Sequence, residues 1–201
     1  MHYITRTIRT LALLAALAAG SLTESRGQSY TYPRAHFTES KLAVKTNLLG
    51  DMFWLPNIGI ELPVSDHWSL QAAYFGVWYA NDPKHNYWRL YGGDLEGRYW
   101  FRETLLGHHV GVYASLFTYD FEFGATGYQG KRPQFGAGLT YGWSYPVHDR
   151  FTLEFGLGVG YIGGLYEEYV PCDGCYLWQN TKRLDYFGPT KAAITLIYHI
   201  K

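Results

Sequence analysis

The 201-residue sequence carries no net charge and few charged side chains. Its 17 Lys and Arg residues balance 17 Asp and Glu residues, and charged residues make up only 17% of the chain, against about 25% in a soluble domain. The missing positive excess argues against a nucleic-acid-binding surface, which needs clustered Lys and Arg. The 2 cysteines are too few for a disulfide-based scaffold.

Long apolar runs are also missing beyond the N-terminus. Residues 11–20 form an apolar stretch behind a positively charged start, which is typical of a secretory signal peptide and too short to span a bilayer. We predict a cleaved signal peptide over residues 1–27, cut between 18 and 27, and a flexible periplasmic lead-in at 28–40. Because no later run approaches transmembrane-helix length, we expect the exported chain to be soluble or a β-barrel.

Aromatic residues and glycine are abundant instead. The 19 Tyr, 11 Phe and 7 Trp residues make up 18% of the chain, and there are 23 glycines. This composition excludes a disordered chain and disfavours a helical enzyme.

Hydropathy alternates with period two over residues 41–201, which predicts strands. The 8 predicted strands are 41–49, 57–63, 68–79, 89–101, 109–122, 134–146, 151–162 and 190–200. Their connections alternate between short turns and the longer loops 50–56, 80–88, 123–133 and 163–189. This alternation is typical of an eight-stranded antiparallel up-and-down transmembrane β-barrel.

The two faces of the strands decide between a soluble and a membrane barrel. In strand 151–162, Phe155 and Leu157 share one face, and Glu154 and several glycines share the other. The interior of an eight-stranded barrel is too narrow for all the large residues. The opposite face, mostly Gly, Ala, Ser and Thr, would make a poor soluble surface. We therefore expect the large face to meet lipid.

Charged residues support this orientation. Asp94, Glu96 and Arg98 share one face of a strand, and an Arg on the lipid face near the bilayer midplane costs about 2–4 kcal/mol. That face must then point inward. The 7 charges predicted to face inward, as a structural network that blocks flow, are Lys45, Glu61, Asp94, Glu96, Arg98, Glu154 and Lys191.

Aromatic residues near strand ends predict girdles at the two membrane interfaces. The candidates are Trp68, Trp78, Tyr79, Trp88, Tyr99, Trp100, Trp143, Tyr145 and Tyr161. Cross-strand packing in any β protein is the alternative reading of the same residues.

Several motifs together resemble a known family. They are Lys45-Thr-Asn-Leu-Leu49, Pro56-Asn-Ile-Gly-Ile-Glu61, Tyr87–Phe101 and Phe187-Gly-Pro-Thr-Lys191. Over residues 41–201 the chain is similar to a Bacteroidota family of small outer-membrane β-barrel proteins catalogued as a domain of unknown function. The resemblance implies an outer-membrane barrel and no assigned activity. Family members are sometimes encoded near fimbria-type genes, which implies a surface or envelope association.

Two motifs resemble the signatures of redox, metal or cofactor sites. Cys172 and Cys175 form a CxxC in the longest predicted outer loop, without a βαβ context or two further metal ligands. A local disulfide is favoured, with free thiols or pairing with a partner as alternatives. The stretch Gly158–Gly163 matches the letters of a dinucleotide fingerprint but lies in a predicted strand, so we predict no cofactor.

The predicted function is therefore non-enzymatic. No Gly-x-Ser-x-Gly elbow is present, and Asp94 and Glu96 fit a structural network better than acid–base catalysis. We expect a barrel in the outer membrane of a Gram-negative bacterium, contacting lipid. Surface proteins or glycans would bind through loops 80–88, 123–133 and 163–189. A lipid-modifying enzyme and a soluble periplasmic lipocalin-like ligand-binding barrel remain the alternatives.

Overall fold

The computed structural model describes residues 40–81, 86–172 and 175–200. The elements in these residues are β1 (Leu42–Asn47), α1 (Leu48–Met52), β2 (Asn57–Pro63), β3 (Trp68–Asn81), β4 (Asn86–Trp100), β5 (Gly107–Phe123), β6 (Thr126–Gly130), β7 (Gln134–His148), β8 (Phe151–Cys172) and β9 (Cys175–Ile200). Within them, no helix has the length and hydropathy that a bilayer span needs. The predicted signal peptide and, except for Ser40, the predicted lead-in at 28–40 lie outside the described residues.

The strands form one antiparallel sheet that closes in a ring. Neighbouring strands pair in chain order from β1 to β5, β5 then pairs with β7, and β8 and β9 follow. The ring closes between the first and last strands, where Leu42 pairs with Ile200 and Asn47 with Thr195. The prediction of an all-β antiparallel fold is therefore confirmed.

A helical turn ends β1 two residues earlier than predicted. The Asn47 side chain accepts a hydrogen bond from the Leu49 backbone N–H at 3.2 Å and so caps α1. Asn57 binds the same turn from the start of β2, since the Asn47 N–H donates to Asn57 Oδ1 at 2.6 Å and Asn57 Nδ2 donates to the Asn47 carbonyl at 3.0 Å. This asparagine pair fixes the connection between the two shortest strands of the ring.

The prediction of outer loops is wrong for two segments, 123–133 and 163–189. Segment 123–133 contains the short strand β6, which pairs with the far ends of β5 and β8. Segment 163–189 is a continuation of β8 and β9, which stay paired as far as Cys172 and Cys175. We call residues 163–172 and 175–189 the outer hairpin. Of the predicted loop 80–88, the ends belong to β3 and β4, and residues 82–85 lie outside the described part.

The β9 half of the outer hairpin escapes prediction because most of its residues are exposed on both faces. The consecutive residues Tyr176, Leu177 and Trp178 are all exposed, so hydropathy no longer alternates along the chain. Pairing is set by the partner strand instead, through the backbone ladder and through ion pairs such as Lys182 to Glu168 at 2.8 Å.

The described buried apolar residues cluster at one end of the ring. Trp100, Leu105, Ala43 and Ile197 are fully buried there, where residues 64–67, 101–106 and 149–150 connect the strands. We call this the turn end. Trp100 is consequently not a girdle residue, contrary to prediction. Its position in β4 has the same parity as Glu96 and Arg98, so it points inward with them.

The pairing of β7 with β8 brings two backbones into unusually close approach. Gly138 lies opposite Gly160, and a Cβ built on Gly138 would lie 2.6 Å from the Cα of Gly160 and 2.9 Å from the Tyr113 ring. Because the first obstacle is backbone, it cannot move aside as a side chain would.

We therefore expect Gly138→Ala to lower the free energy of unfolding by about 1–3 kcal/mol, the usual range for overpacking. The measurement is the unfolding midpoint of the purified protein, followed by tryptophan fluorescence. Gly97→Ala is the matched control, since a Cβ there meets nothing within 4 Å. An equal loss of stability in both variants would contradict the close approach.

Candidate functional site

The inside of the ring contains all seven charges that the alternation predicts to face inward. They come from five strands: β1, β2, β4, β8 and β9. Period two places Asp94, Glu96 and Arg98 on one face of β4, and ring closure brings the other strands opposite. We call Lys45, Glu61, Asp94, Glu96, Arg98, Glu154 and Lys191 the ion network.

The part of the ion network nearer the turn end alternates two cations with two carboxylates. Lys45 Nζ lies 2.5 Å from Glu61 and 3.2 Å from Glu154. Arg98 Nη1 lies 3.2 Å from Glu61 and 3.0 Å from Glu154. Each of the four side chains is almost completely buried. Every charge therefore contacts two charges of opposite sign.

Arg98 connects this group to a second one farther from the turn end. Its Nε donates to Glu96 at 2.9 Å. Lys191 Nζ lies 3.2 Å from Glu96 and 3.0 Å from Asp94. The second group thus contains two carboxylates and only one cation of its own.

Neutral side chains complete the hydrogen bonding of the carboxylates. Ser144 donates to Glu154 at 2.9 Å, and Thr140 donates to Glu96 at 2.7 Å. Ser69 donates to Glu61 and accepts from Trp100 Nε1 at 2.8 Å. Such bonds matter because burying an ion costs several kcal/mol, which a partner offsets only when the remaining hydrogen-bonding capacity is also used.

Two interior residues were missed because strand 109–122 is bulky on both faces. His109 and Tyr113 both point inward from β5 and are buried. The His109 ring lies 4.3 Å from the Trp100 ring, and the Tyr113 hydroxyl donates to Thr190 at 2.5 Å. The register with β4, which pairs Glu96 with Tyr113, assigns this face, and sequence alone gives no such register.

A cavity of about 390 Å³ adjoins the ion network inside the ring. Asp94, Glu96 and Lys191 form part of its lining, and Phe75, Leu90, Phe117 and Ile162 contribute apolar walls. The connection after α1 borders it through Leu55. Among the residues that the structure describes, no group of three or more His, Cys, Asp or Glu could hold a metal ion.

The two cysteines lie at the tip of the outer hairpin. Cys172 and Cys175 are bonded to each other, with their Cα atoms 5.0 Å apart. Close to the tip, Tyr169 packs edge-on against Tyr176 and donates to Asp120 at 2.7 Å. Burial and the hydrogen bond to Asp120 both raise the pKa of Tyr169. The hairpin is thereby tied to β5.

The remaining girdle candidates lie at two levels of the ring. Trp68, Tyr99 and Trp143 lie towards the turn end, where the Trp68 and Tyr99 rings are 5.2 Å apart. Trp78 lies at the opposite end of β3. Trp88 has the same parity in β4 as Asp94 and Glu96 and pairs with Phe121, so it lies on the inward side and is not a girdle residue, contrary to prediction. Tyr161 lies between the levels and donates to Asp185. Except for the half-buried Tyr161, the described candidates on the outward face are exposed.

Removing the shared cation of the ion network should destabilise the protein strongly. Arg98→Met leaves Glu61, Glu96 and Glu154 short of a partner, and breaking a buried pair costs about 3–5 kcal/mol. We expect a loss of this size in the unfolding free energy, measured by denaturant titration.

Arg183→Met is the control for that loss. Arg183 pairs with Asp185 at 2.8 Å, but its side chain is 72% exposed, and such pairs contribute about 0–1 kcal/mol. Similar losses in the two variants would show that the ion network does not depend on pairing.

Comparison with known sequences gives the chain a family. No curated protein matches it significantly. Residues 13–200 match the family described as "Protein of unknown function (DUF3575)". The resemblance to an uncharacterised domain family is thus confirmed, and the chain belongs to the DUF3575 family.

Proposed function

We propose that this protein is a small, non-conducting β-barrel of the outer membrane of a Gram-negative bacterium. Its ring spans the bilayer, and its outer hairpin reaches the cell surface to contact a protein or glycan partner. The Bacteroidota origin and the envelope association implied by the family resemblance are part of this proposal, as is export by the signal peptide.

The observation that carries the proposal is the reversed polarity of the ring. Charged side chains are buried inside, and large apolar side chains are exposed outside. Eight outward apolar residues along the strands are between 46% and 69% exposed; they are Ile58, Leu70, Leu95, Val112, Leu116, Leu139, Leu157 and Val159. Soluble monomers rarely expose apolar patches beyond a few hundred Å², whereas lipid contact requires them.

The side of the ring formed by the short strands β1 and β2 also carries exposed apolar side chains, because the connection that follows α1 adds them. Strands β1 and β2 have only 6 and 7 residues, fewer than the roughly 9–11 of a membrane strand. The connection that follows α1 exposes Phe53 by 70% and Trp54 by 84%. These side chains extend the apolar outer surface beyond the short strands.

The interior supports a barrel without a pore. The ion network crosses the ring between β4 and β8, and Trp100 and Leu105 fill the turn end behind it. Eight strands leave an interior that side chains alone can fill. The protein would therefore act through its surface rather than by conducting solutes.

The contacts of the acidic residues favour a role without catalysis. Glu96 contacts Arg98, Lys191 and Thr140, so it is held as a structural carboxylate. The hydroxyl–imidazole contact between Thr152 and His199 at 2.8 Å is buried below the ion network, where a lipid substrate would not reach it.

If the ring contacts lipid, the effect of an Arg substitution should depend more on where the residue lies in the ring than on how exposed its side chain is. Leu157 is 69% exposed halfway along the ring, and Leu177 is 56% exposed in the outer hairpin. We expect Leu157→Arg to cost about 2–4 kcal/mol in the membrane. The folded protein in the outer-membrane fraction, detected by its different gel mobility before and after boiling, should decrease strongly.

Leu177→Arg should leave this fraction unchanged, because the outer hairpin lies in water. In a water-soluble barrel both leucines would face solvent, and both substitutions would be tolerated. Equal amounts of folded protein in the two variants, found in the soluble periplasm, would contradict the proposal and favour the lipocalin-like alternative.

If the outer hairpin reaches the cell surface, the turn end of the ring must face the periplasm. Trp178 in the outer hairpin is 62% exposed, and the turn of Asp149 lies at the turn end. On intact cells, a membrane-impermeant maleimide should label Trp178→Cys and not Asp149→Cys. After cell lysis both should react. Labelling of Asp149→Cys alone on intact cells would reverse the orientation.

A further inference from the structure

The cavity beside the ion network is large enough to hold a small molecule. Its volume of about 390 Å³ falls in the range of roughly 300–1,000 Å³ that is usual for ligand pockets. It is not sealed, because Lys191 in its lining keeps 23% of its side chain exposed. Presentation of an outer hairpin needs no such space, so the cavity calls for its own explanation.

The charges of the ion network are not evenly divided between its two groups. Nearer the turn end, Lys45 and Arg98 match Glu61 and Glu154. Beside the cavity, Lys191 stands against both Asp94 and Glu96. Lys45, Arg98 and Glu154 also line the cavity, but Asp94 and Glu96 share Lys191 as the one cation of their own group, and this group holds the excess carboxylate of the ion network, four acids against three bases.

Asp94 is the carboxylate with the fewest partners. Glu96 contacts Arg98, Lys191 and Thr140. Asp94 has Lys191 at 3.0 Å from its Oδ1, yet that buried oxygen accepts no well-formed hydrogen bond. A buried carboxylate oxygen without a donor is costly, and a ligand N–H group would remove that cost.

The walls favour an organic cation over a metal ion. Phe75, Phe117, Leu90 and Ile162 line the cavity, and Tyr113 already has the Lys191 ammonium 4.1 Å from its ring centroid. Aromatic faces attract ammonium groups, more strongly when water is excluded. The described residues provide no set of ligands for a metal.

We propose that this cavity binds a small amine whose ammonium group pairs with Asp94 and whose apolar part lies against Phe75 and Phe117. Lys191 competes for the same carboxylate and so sets the affinity. The proposal does not depend on membrane insertion, since it concerns only the interior of the ring.

The test compares two probes with the same phenylethyl group and opposite charge, 2-phenylethylamine and 3-phenylpropionate. Isothermal titration calorimetry is performed on the purified folded protein, in detergent where extraction requires it. The amine should bind saturably with one site per chain, and the carboxylate at least tenfold more weakly. Equal affinity for the two probes, tighter binding of the carboxylate, or no binding of the amine would overturn the proposal.

Two substitutions locate the site by changing the local charge in opposite directions. Asp94→Asn removes the excess carboxylate and should weaken amine binding at least tenfold. Lys191→Met removes the competing cation and should strengthen amine binding. Asp185→Asn is the control, because Asp185 is half-exposed in the outer hairpin and pairs with Arg183; its affinity should equal that of the unmodified protein.

Lys191→Met also covers the case in which Asp94→Asn fails to fold. Folding of each variant is established beforehand from its gel mobility and unfolding midpoint. Amine binding that is unchanged or weaker in folded Lys191→Met would overturn the proposal by itself, and so would unchanged binding in folded Asp94→Asn. The Leu157→Arg experiment is separate, so failure of either proposal can be distinguished from failure of the other.

Discussion

Charges that are buried must all find partners, and this requirement organises the interior of the ring. The ion network joins β1, β2, β4, β8 and β9 through side chains that are mostly buried. Arg98 is central, because it contacts Glu61, Glu96 and Glu154 together. Apolar residues could fill the same space at a lower cost in free energy. They would not select which residues of neighbouring strands pair, however, because the outward faces of the strands are all similarly apolar.

The sequence predicts this part of the molecule well, and for a simple reason. In a closed sheet, period two assigns each residue to the inside or the outside, so parity alone gathers Asp94, Glu96 and Arg98 with Glu154 and Lys191. Parity also places Trp100 inside, and the girdle prediction failed for this residue because it considered only the position near a strand end. Membership of an uncharacterised family was likewise recognisable from the motifs.

Other features depend on information that one sequence does not contain. Most residues in the β9 half of the outer hairpin are exposed on both faces, so this half carries no alternation, and β6 is held by its partners alone. The space of the cavity depends on which small residues pair between neighbouring strands. Gly59 lies beside Ala73, and Gly156 lies opposite Ala193. Those pairs follow from register, which the pattern of one strand cannot give.

The pairing of β1 with β9 sets the order in which the molecule can be completed. Lys45 belongs to the first strand of the ring, and the residues that pair with that strand, Thr195–Ile200, end the described chain. Both β1 and β9 must therefore be available before the ring closes. Until then the Lys45 side chain and the carboxylates of β8 and β4 face an open, hydrated concave surface. Closure brings Lys45 against Glu154 and Lys191 against Asp94, so a chain truncated before β9 would leave the ion network incomplete.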